Sequence, residues 1–368
     1  MTTSTLGLNQ YKEEITQYLS NFLDQEKKTL AKISLDDDIF YTLKDFVLRG
    51  KMARGNLLIL AYQAFQGKIT AISMSKWLLP LASALELIQA GLLIHDDIID
   101  QDQQRRGQNS IWYYYALKNQ EKNQHYGRSQ AICLGDLCFF LANQLIKQSA
   151  INVAAFFSAN QNQSDKNISA NLQNLINQEI SQVIMAEMLD VQLAMNTKLP
   201  SLEQITETNL YKTARYSFSL PLMLAGYLTG QKTPIIKQVS DIGEKIGLIF
   251  QIQDDYLGIF GNEKITGKPV LSDLREGKKT IFYYFLMKNS KLSNQDQKLI
   301  NQCFGSSAIT AKQSLKIKQL FQSYSLEQVN KLINQLKTTS LNKIRDLKNQ
   351  ELQELLKQLL SLVKNRQQ

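Results

Sequence analysis

Hydrophobic residues recur every three or four positions along most of the chain, which is the spacing that gives an α-helix one apolar face. The strict alternation and evenly spaced turn residues of a strand-rich protein are missing from most of the sequence, and there are only 17 glycines and 5 prolines. The pattern therefore predicts an all-α protein. Predicted helices cover about 8–24, 38–48, 54–65, 129–147, 170–194 and 202–228.

Two further predicted helices carry adjacent aspartates where their apolar stripes end. One stripe leads into HDDIID at 95–100, the first acidic motif, and another leads into QDDYLG at 253–258, the second acidic motif. On a helix Asp96 and Asp100 share one face about 5–6 Å apart and repel each other. A magnesium ion relieves such repulsion, because it takes one or two carboxylates together with phosphate oxygens and water. A single acidic helix end is explained equally well by carboxylates that simply face solvent. Two acidic helix ends favour a magnesium–diphosphate site.

The formal net charge of +9 favours anionic partners. Basic residues follow each acidic motif, with RRG at 105–107 after the first and Lys268, Lys278 and Lys279 after the second. Arginine offers phosphate two parallel donors and lysine a compact charge, so both suit the wall of a diphosphate site. No basic tract with interleaved aromatic residues stands out, so nucleic acid is not an expected partner.

The three cysteines form no C-x-x-C pair, which argues against a disulfide framework and a zinc site and favours a reducing compartment. The amino-terminal residues 1–22 lack an apolar block behind a basic start, and no run approaches the roughly 18 apolar residues that span a bilayer. The expectation is a cytoplasmic protein with no transmembrane segment.

Loops and the carboxyl-terminal region complete the predicted organisation. A polar loop is predicted at 160–169, and residues 258–277, with four glycines and one proline, are predicted to form a loop that acts as a lid. After about residue 292 the pattern predicts amphipathic carboxyl-terminal helices. Because no repeat or long linker divides the chain, residues 1–368 are predicted to form a single domain.

In combination, these motifs resemble the all-trans polyprenyl diphosphate synthases, which make farnesyl, geranylgeranyl and longer diphosphates. The resemblance covers about residues 50–280 and rests on the two acidic motifs with RRG after the first. It implies a single large helical bundle of the isoprenoid synthase type with a central catalytic cavity, acting as a homodimer. The implied reaction condenses an allylic diphosphate with isopentenyl diphosphate, with Mg²⁺ stabilising the departing pyrophosphate.

The resemblance also assigns roles to residues. The implied metal ligands are Asp96, Asp97, Asp100, Asp254 and Asp255. The implied catalytic residues are Asp96, Asp97, Asp100, Lys212 and Asp254. The implied substrate-binding residues are Lys51, Arg54, Gln89, Arg105, Arg106, Lys212, Thr213, Gln251, Lys268 and Lys278. Among these, Arg105 would hold the allylic diphosphate, and Lys51, Arg54 and Arg106 the isopentenyl diphosphate. The positions implied near the allylic substrate are Lys212, Thr213, Gln251 and Lys268.

Four positions depart from the family pattern. Met52 replaces a usual arginine, Gly55 a usual proline and Gln89 a usual histidine. Gly258 replaces the aspartate that ends the second acidic motif, which removes the carboxylate four residues after Asp254. These changes predict an active enzyme with adjusted binding.

Product length is predicted from the residues one turn before the first acidic motif, which would form the floor of the channel for the growing chain. Gly91 lies five residues before Asp96 and carries no bulky aromatic ring, which favours a C20 or longer product, while Leu92 and Ile88 limit the depth. The expected product is geranylgeranyl diphosphate.

Two other functions fit parts of the pattern. A terpene cyclase would share the helical fold and an acidic motif, but it needs one diphosphate, whereas Lys51, Arg54 and Arg106 imply a second anion. A non-catalytic partner subunit would fit the four departures, but such a subunit is expected to lose the first acidic motif, which is intact here. Elongation of labelled isopentenyl diphosphate distinguishes a synthase from a cyclase, and magnesium-dependent activity of the isolated chain that is lost in Asp96→Ala argues against a non-catalytic subunit.

Overall fold

The computed structural model describes residues 9–30, 32–33, 38–118, 123–159, 168–261, 270–306 and 308–364. The regular secondary structure of the described part is helical apart from a hairpin of two short strands, β1 (Gln104–Arg105) and β2 (Gln108–Asn109), which pair antiparallel. The helices are α1 Lys12–Leu30, α2 Asp38–Leu48, α3 Ala53–Gln66, α4 Ala71–Ser73, α5 Leu79–Ile99, α6 Ile111–Lys118, α7 Gln124–Ala159, α8 Ile168–Met195, α9 Leu202–Asn209, α10 Leu220–Leu228, α11 Thr233–Phe260, α12 Ser272–Arg275, α13 Ile281–Lys288, α14 Asn294–Cys303, α15 Ala311–Tyr324, α16 Leu326–Arg345 and α17 Gln350–Lys364. Two π-helical segments, Met74–Leu78 and Leu210–Ser219, join α4 to α5 and α9 to α10.

The chain divides into two compact units. Unit 1 comprises Met1–Leu175 and Leu224–Lys232, and unit 2 comprises Ile176–Met223 and Thr233–Gln368. The first acidic motif belongs to unit 1 and the second to unit 2. The expectation of a single domain with a central cavity stays a prediction.

Helix α5 is the centre of unit 1. Every residue over 80–91 is buried, because α1, α3 and α7 pack around the helix. Pro80 in its first turn has no N–H to donate. The carbonyl of Lys76 instead accepts from the Asn152 side chain at 2.9 Å, and the next carbonyl, that of Trp77, accepts from Ser149 at 3.0 Å. Side chains of α7 thus satisfy the carbonyls around the π-helical start of α5.

Unit 2 is built around α11. The helix packs against the π-helical segment Leu210–Ser219 and against α16 and α17, with Ile242, Ile246 and Ile249 buried. Gly243 and Gly247 let the π-helical segment approach closely, since a Cβ at Gly247 would lie 2.5 Å from the Cα of Ala214. This packing fixes the segment that carries two of the predicted substrate-binding residues.

The helices confirm the all-α prediction, with differences at several ends. The helix predicted over 202–228 is interrupted by the π-helical segment Leu210–Ser219. The wider turns of a π-helix are set by tertiary packing, and the spacing of hydrophobic residues in the sequence does not reveal them. The prediction that a loop begins at Gly258 is wrong, since α11 continues to Phe260. Residues 262–269 of the proposed lid and residues 160–167 of the predicted loop at 160–169 lie outside the described residues.

Within the described residues, two helical stretches are long and apolar enough to cross a bilayer. Ala71–Ile99 has a mean hydropathy of 1.7 with 83% of that window buried, and Gln124–Ser158 has 1.3 with 44% buried. The expectation that no segment is long and apolar enough to span a bilayer is therefore wrong as far as length and composition are concerned. Core helices of globular proteins pass the same test, so neither stretch identifies a span, and the absence of a transmembrane segment stays a prediction.

Candidate active site

The first acidic motif lies in the last turn of α5, where Arg105 from β1 folds back onto its carboxylates. Its Nε donates to Asp97 Oδ1 at 2.6 Å, and its Nη2 lies 3.1 Å from Asp102 Oδ2 and 3.5 Å from Asp96 Oδ2. The hairpin turn that brings it there places Arg106 and Gly107 at positive φ, 56° and 76°. In this structure Arg105 binds the motif itself, and its predicted contact with a diphosphate stays a prediction.

Asp97 is the buried carboxylate of the motif. It is 1% exposed, and burial raises its pKa to about 7 against the opposing charge of Arg105. Its Oδ2 is buried and has no hydrogen-bond partner among the described residues. A buried carboxylate oxygen that receives no donor is costly unless a cation or a proton satisfies it.

A second group of predicted residues meets at the start of α3. Glu86 of α5 accepts the backbone N–H groups of Arg54 and Gly55, both at 2.9 Å, and so caps α3 where Met52 offers no side-chain cap. Burial raises the pKa of Glu86, while the Arg54 and Arg106 guanidinium groups oppose that shift. Glu86 therefore fixes the start of α3, the helix that carries Arg54.

Sequence reasoning missed Glu86, whose signal was a lone acidic residue within an apolar stripe. Gln89 follows one turn later and is buried, whereas Lys51 is exposed. The departure at Gly55 has a packing reason, since a Cβ there would lie 3.0 Å from both the Cβ and the carbonyl oxygen of Ala82. Gly55 thus allows α3 to approach α5 closely.

Gly91, predicted to deepen the product channel, faces α7. A Cβ at this position would lie 2.9 Å from the carbonyl oxygen of Gly135 and 3.0 Å from the ring of Phe139. The missing side chain lets α5 and α7 pack closely, and the Phe139 ring fills the adjoining space. The geometry therefore does not support the prediction that the missing side chain of Gly91 allows a longer product. The other two residues predicted to form the channel floor are Ile88, which is buried, and Leu92, which is half-buried.

The second acidic motif lies within α11, and its two aspartates stand more than a turn before the end of the helix. Asp254 is exposed, and Asp255 is 5% exposed and accepts from Gln251 Nε2 at 2.9 Å. Burial and the nearby carboxylate of Asp273 raise the pKa of Asp255 well above its ordinary value. As in the first motif, Oδ2 of the buried aspartate has no hydrogen-bond partner among the described residues.

Lys212 and Thr213 lie on the π-helical segment. The Lys212 ammonium contacts Asp190 Oδ2 at 2.8 Å and Glu187 Oε2 at 2.9 Å, two carboxylates of α8 that sequence reasoning missed. The sequence pattern that could have identified them is a pair of acidic residues three positions apart, which lie on one face of a helix. Three residues after Lys212, Arg215 binds two further carboxylates, Glu179 of α8 and Glu244 of α11.

The basic residues predicted after the second motif have separate positions. Lys278 pairs with Glu276 at 2.8 Å. Lys279 donates to the carbonyl of Leu193 at 2.6 Å and so caps the carboxyl end of α8. Lys268 lies outside the described residues.

Comparison with known proteins identifies the family. The polyprenyl synthetase family model matches residues 38–323. The chain belongs to the polyprenyl synthetase family. This confirms the resemblance drawn from the two acidic motifs and extends it beyond residues 50–280.

Relatives of this polyprenyl synthetase include a geranylgeranyl diphosphate synthase of Sulfolobus acidocaldarius, 27% identical over 283 residues, covering 77% of this chain and 76% of the relative. A short chain isoprenyl diphosphate synthase of Methanocaldococcus jannaschii is 28% identical over 270 residues, covering 72% and 71%. The crystal structure of geranylgeranyl pyrophosphate synthase from Corynebacterium glutamicum, complexed with isoprenyl diphosphate and magnesium, superposes with a TM-score of 0.86. It is 28% identical and covers 98% of this chain and 100% of that one. The all-α fold class is confirmed.

The acidic motifs of this polyprenyl synthetase fit a magnesium ion by the chemistry of their donors. Both offer hard carboxylate oxygens, and each contains one buried oxygen without a donor among the described residues. In the described ranges no three histidine, cysteine or acidic side chains converge into a ready-made metal site. Magnesium sites commonly take only one or two carboxylates, with phosphate and water in the other positions, so this arrangement suits a metal that binds with its substrate.

Proposed function

We propose that this chain is a magnesium-dependent trans-prenyltransferase that joins an allylic diphosphate to isopentenyl diphosphate and forms geranylgeranyl diphosphate. One observation carries the proposal. Each acidic motif keeps a buried aspartate, Asp97 or Asp255, whose Oδ2 has no protein donor among the described residues. Membership of the polyprenyl synthetase family and the names of the relatives support the same reaction class and a C20 product.

The chemistry breaks the allylic C–O bond, forms a bond between that carbon and the isopentenyl double bond, and releases a proton and pyrophosphate. Bound magnesium neutralises the charge that develops on the departing pyrophosphate. In the first motif Asp96, Asp97 and Asp100, and in the second Asp254 and Asp255, would serve as metal ligands. Arg54 and Arg106 would hold the isopentenyl diphosphate, and Lys212 would face the allylic substrate.

The test is elongation of labelled isopentenyl diphosphate by the purified chain, with geranyl or farnesyl diphosphate as primer and Mg²⁺ present. The expected product is C20, and Asp96→Asn should lower the rate by more than about 10–100-fold, since changing a residue that only orients a metal ligand already costs that much. Asp24→Asn is the matched control, because Asp24 is exposed and pairs only at the surface with Lys44. A wild-type chain that yields no elongated diphosphate would refute the proposal and favour a cyclase or a non-catalytic subunit.

We also propose that the chain acts as a homodimer in the cytoplasm. Ile132, Phe140 and Ile151 form an exposed apolar stripe along α7, and Phe140 is 72% exposed. Light scattering should give twice the chain mass, and Phe140→Glu should shift the measured mass towards that of the monomer.

The three cysteines are free, as a reducing compartment requires. Cell fractionation tests the location.

A further inference from the structure

A fully buried asparagine, Asn56, lies in the first turn of α3, two residues after Arg54. Its side-chain amide bridges two backbone groups. The oxygen accepts from the N–H of Tyr11 and the nitrogen donates to the carbonyl of Met52, both at 2.7 Å. Because only the oxygen can accept and only the NH2 group can donate, these two partners fix the orientation of the amide.

The carbonyl that Asn56 binds belongs to a residue with an unfavourable backbone conformation. Met52 has φ 52° and ψ 33°, in the left-handed region, and its side chain is fully buried. This conformation is costly for residues other than glycine, so the surrounding contacts have to hold it. Asn56 contributes two of those contacts, since its backbone N–H also donates to the Met52 carbonyl, at 3.0 Å.

Met52 separates two residues that are implied to bind isopentenyl diphosphate, Lys51 and Arg54. A change of the Met52 φ to the ordinary negative range would rotate Lys51, with the chain before it, relative to α3. The turn also borders Arg106, because a Cβ at Gly50 would lie 3.3 Å from Met52 Cε and 3.4 Å from Arg106 Nη1. The left-handed turn therefore sets the position of Lys51 relative to Arg54.

We propose that Asn56 is a positioning residue for isopentenyl diphosphate, which acts by holding Met52 in the left-handed conformation between Lys51 and Arg54. This inference rests on the proposed function. Asn56 is fully buried, so it acts through the backbone and does not touch the substrate. Its second hydrogen bond ties the same turn to Tyr11, the residue directly before α1.

Steady-state elongation kinetics test the proposal, with the Michaelis constants for isopentenyl diphosphate and for the allylic primer measured separately. Asn56→Leu keeps a branched side chain and removes both amide hydrogen bonds. The Michaelis constant for isopentenyl diphosphate should rise by about 10-fold, the factor that corresponds to one lost hydrogen bond, and that for the primer should stay unchanged. Circular dichroism melting shows whether the variant is folded, and Asn56→Ala serves if it is not.

Tyr11→Phe is the matched control. The Tyr11 hydroxyl donates to Gln63 Oε1 at 2.8 Å, which is a second link between the same two segments and does not involve Met52. The variant should melt at a lower temperature, as any lost link of this kind allows, and keep the wild-type Michaelis constant for isopentenyl diphosphate.

Substitution of Met52 separates positioning from stability. Glycine adopts positive φ without a steric penalty, so Met52→Gly/Asn56→Leu should regain most of the wild-type Michaelis constant for isopentenyl diphosphate. The same variant should melt at a lower temperature than Asn56→Leu, because the buried Met52 side chain is lost. Met52→Ala/Asn56→Leu loses that packing as well but keeps a Cβ, and it should not recover.

An unchanged Michaelis constant for isopentenyl diphosphate in Asn56→Leu, or equal constants in the two double variants, would overturn the inference. Either result with an active wild type leaves the proposed function standing. An inactive wild type refutes the proposed function, and the inference falls with it.

Discussion

Gly247 lies where α11 and the π-helical segment approach each other closely, so Gly247→Ala tests the packing that positions Lys212 and Thr213. The added Cβ would lie 2.5 Å from the Cα and 2.6 Å from the Cβ of Ala214. Carbon atoms in contact prefer separations of about 3.5–4.0 Å, so the two elements have to part by about 1 Å. The Cα of Ala214 is backbone, and no rotamer change relieves the contact.

The expected cost follows from two opposing terms. Overpacking of this kind costs about 1–3 kcal/mol, and the upper part of that range applies because backbone is involved. Replacing glycine by alanine inside a helix returns about 1 kcal/mol. The free energy of unfolding should therefore fall by about 2 kcal/mol, and the Michaelis constant for the allylic substrate should rise because Lys212 and Thr213 move with Ala214.

Urea denaturation followed by circular dichroism gives the stability, and steady-state elongation kinetics give the Michaelis constant. Gly243→Ala is the graded control, since the added Cβ there meets Ser219 at 2.9 Å and needs a smaller shift. Its stability loss should be smaller than that of Gly247→Ala. A Gly247→Ala variant as stable as the wild type would refute the packing argument.

Three further predictions concern other contacts. Arg215→Met should lower the free energy of unfolding by about 3 kcal/mol in urea denaturation, because Glu179 is left buried without its cation, and Arg215→Met/Glu179→Met should regain much of the loss. Burial raises the pKa of Glu86 above 4.5, so wild-type stability should fall as pH rises from that value through the folded pKa; Glu86→Gln should remove this decline in denaturation series at several pH values. Phe139→Ala empties the space beside Gly91 and should lengthen the product in chromatography of the chain-length distribution, and an unchanged distribution would contradict this.

The acidic motifs could be predicted from the sequence because adjacent aspartates at the end of an apolar stripe are a local signal. Asp96 and Asp97 lie in the last turn of α5, as the pattern indicates. The predicted helices exist for the same reason, since a period of three to four residues is visible within one segment. Only their ends and the π-helical geometry differ.

The partners of the motif residues could not be predicted, because they come from distant parts of the chain. Glu86 reaches the start of α3, which lies 32 residues away, and Asp273 reaches Gly258 across a segment with no helical period. Gly91 shows the opposite error. In the sequence, a glycine at this position suggests open space beside the helix. In the structure, the ring of Phe139 from α7 occupies that space.

The cap that Glu86 places on α3 has a consequence for folding cooperativity. The amides of Arg54 and Gly55 are protected by a carboxylate of another helix, so they exchange with solvent only when α5 separates from α3. Deuterium uptake at these two amides therefore reports the docking of α5, whereas uptake at Leu60, in the middle of α3, reports the opening of α3 itself.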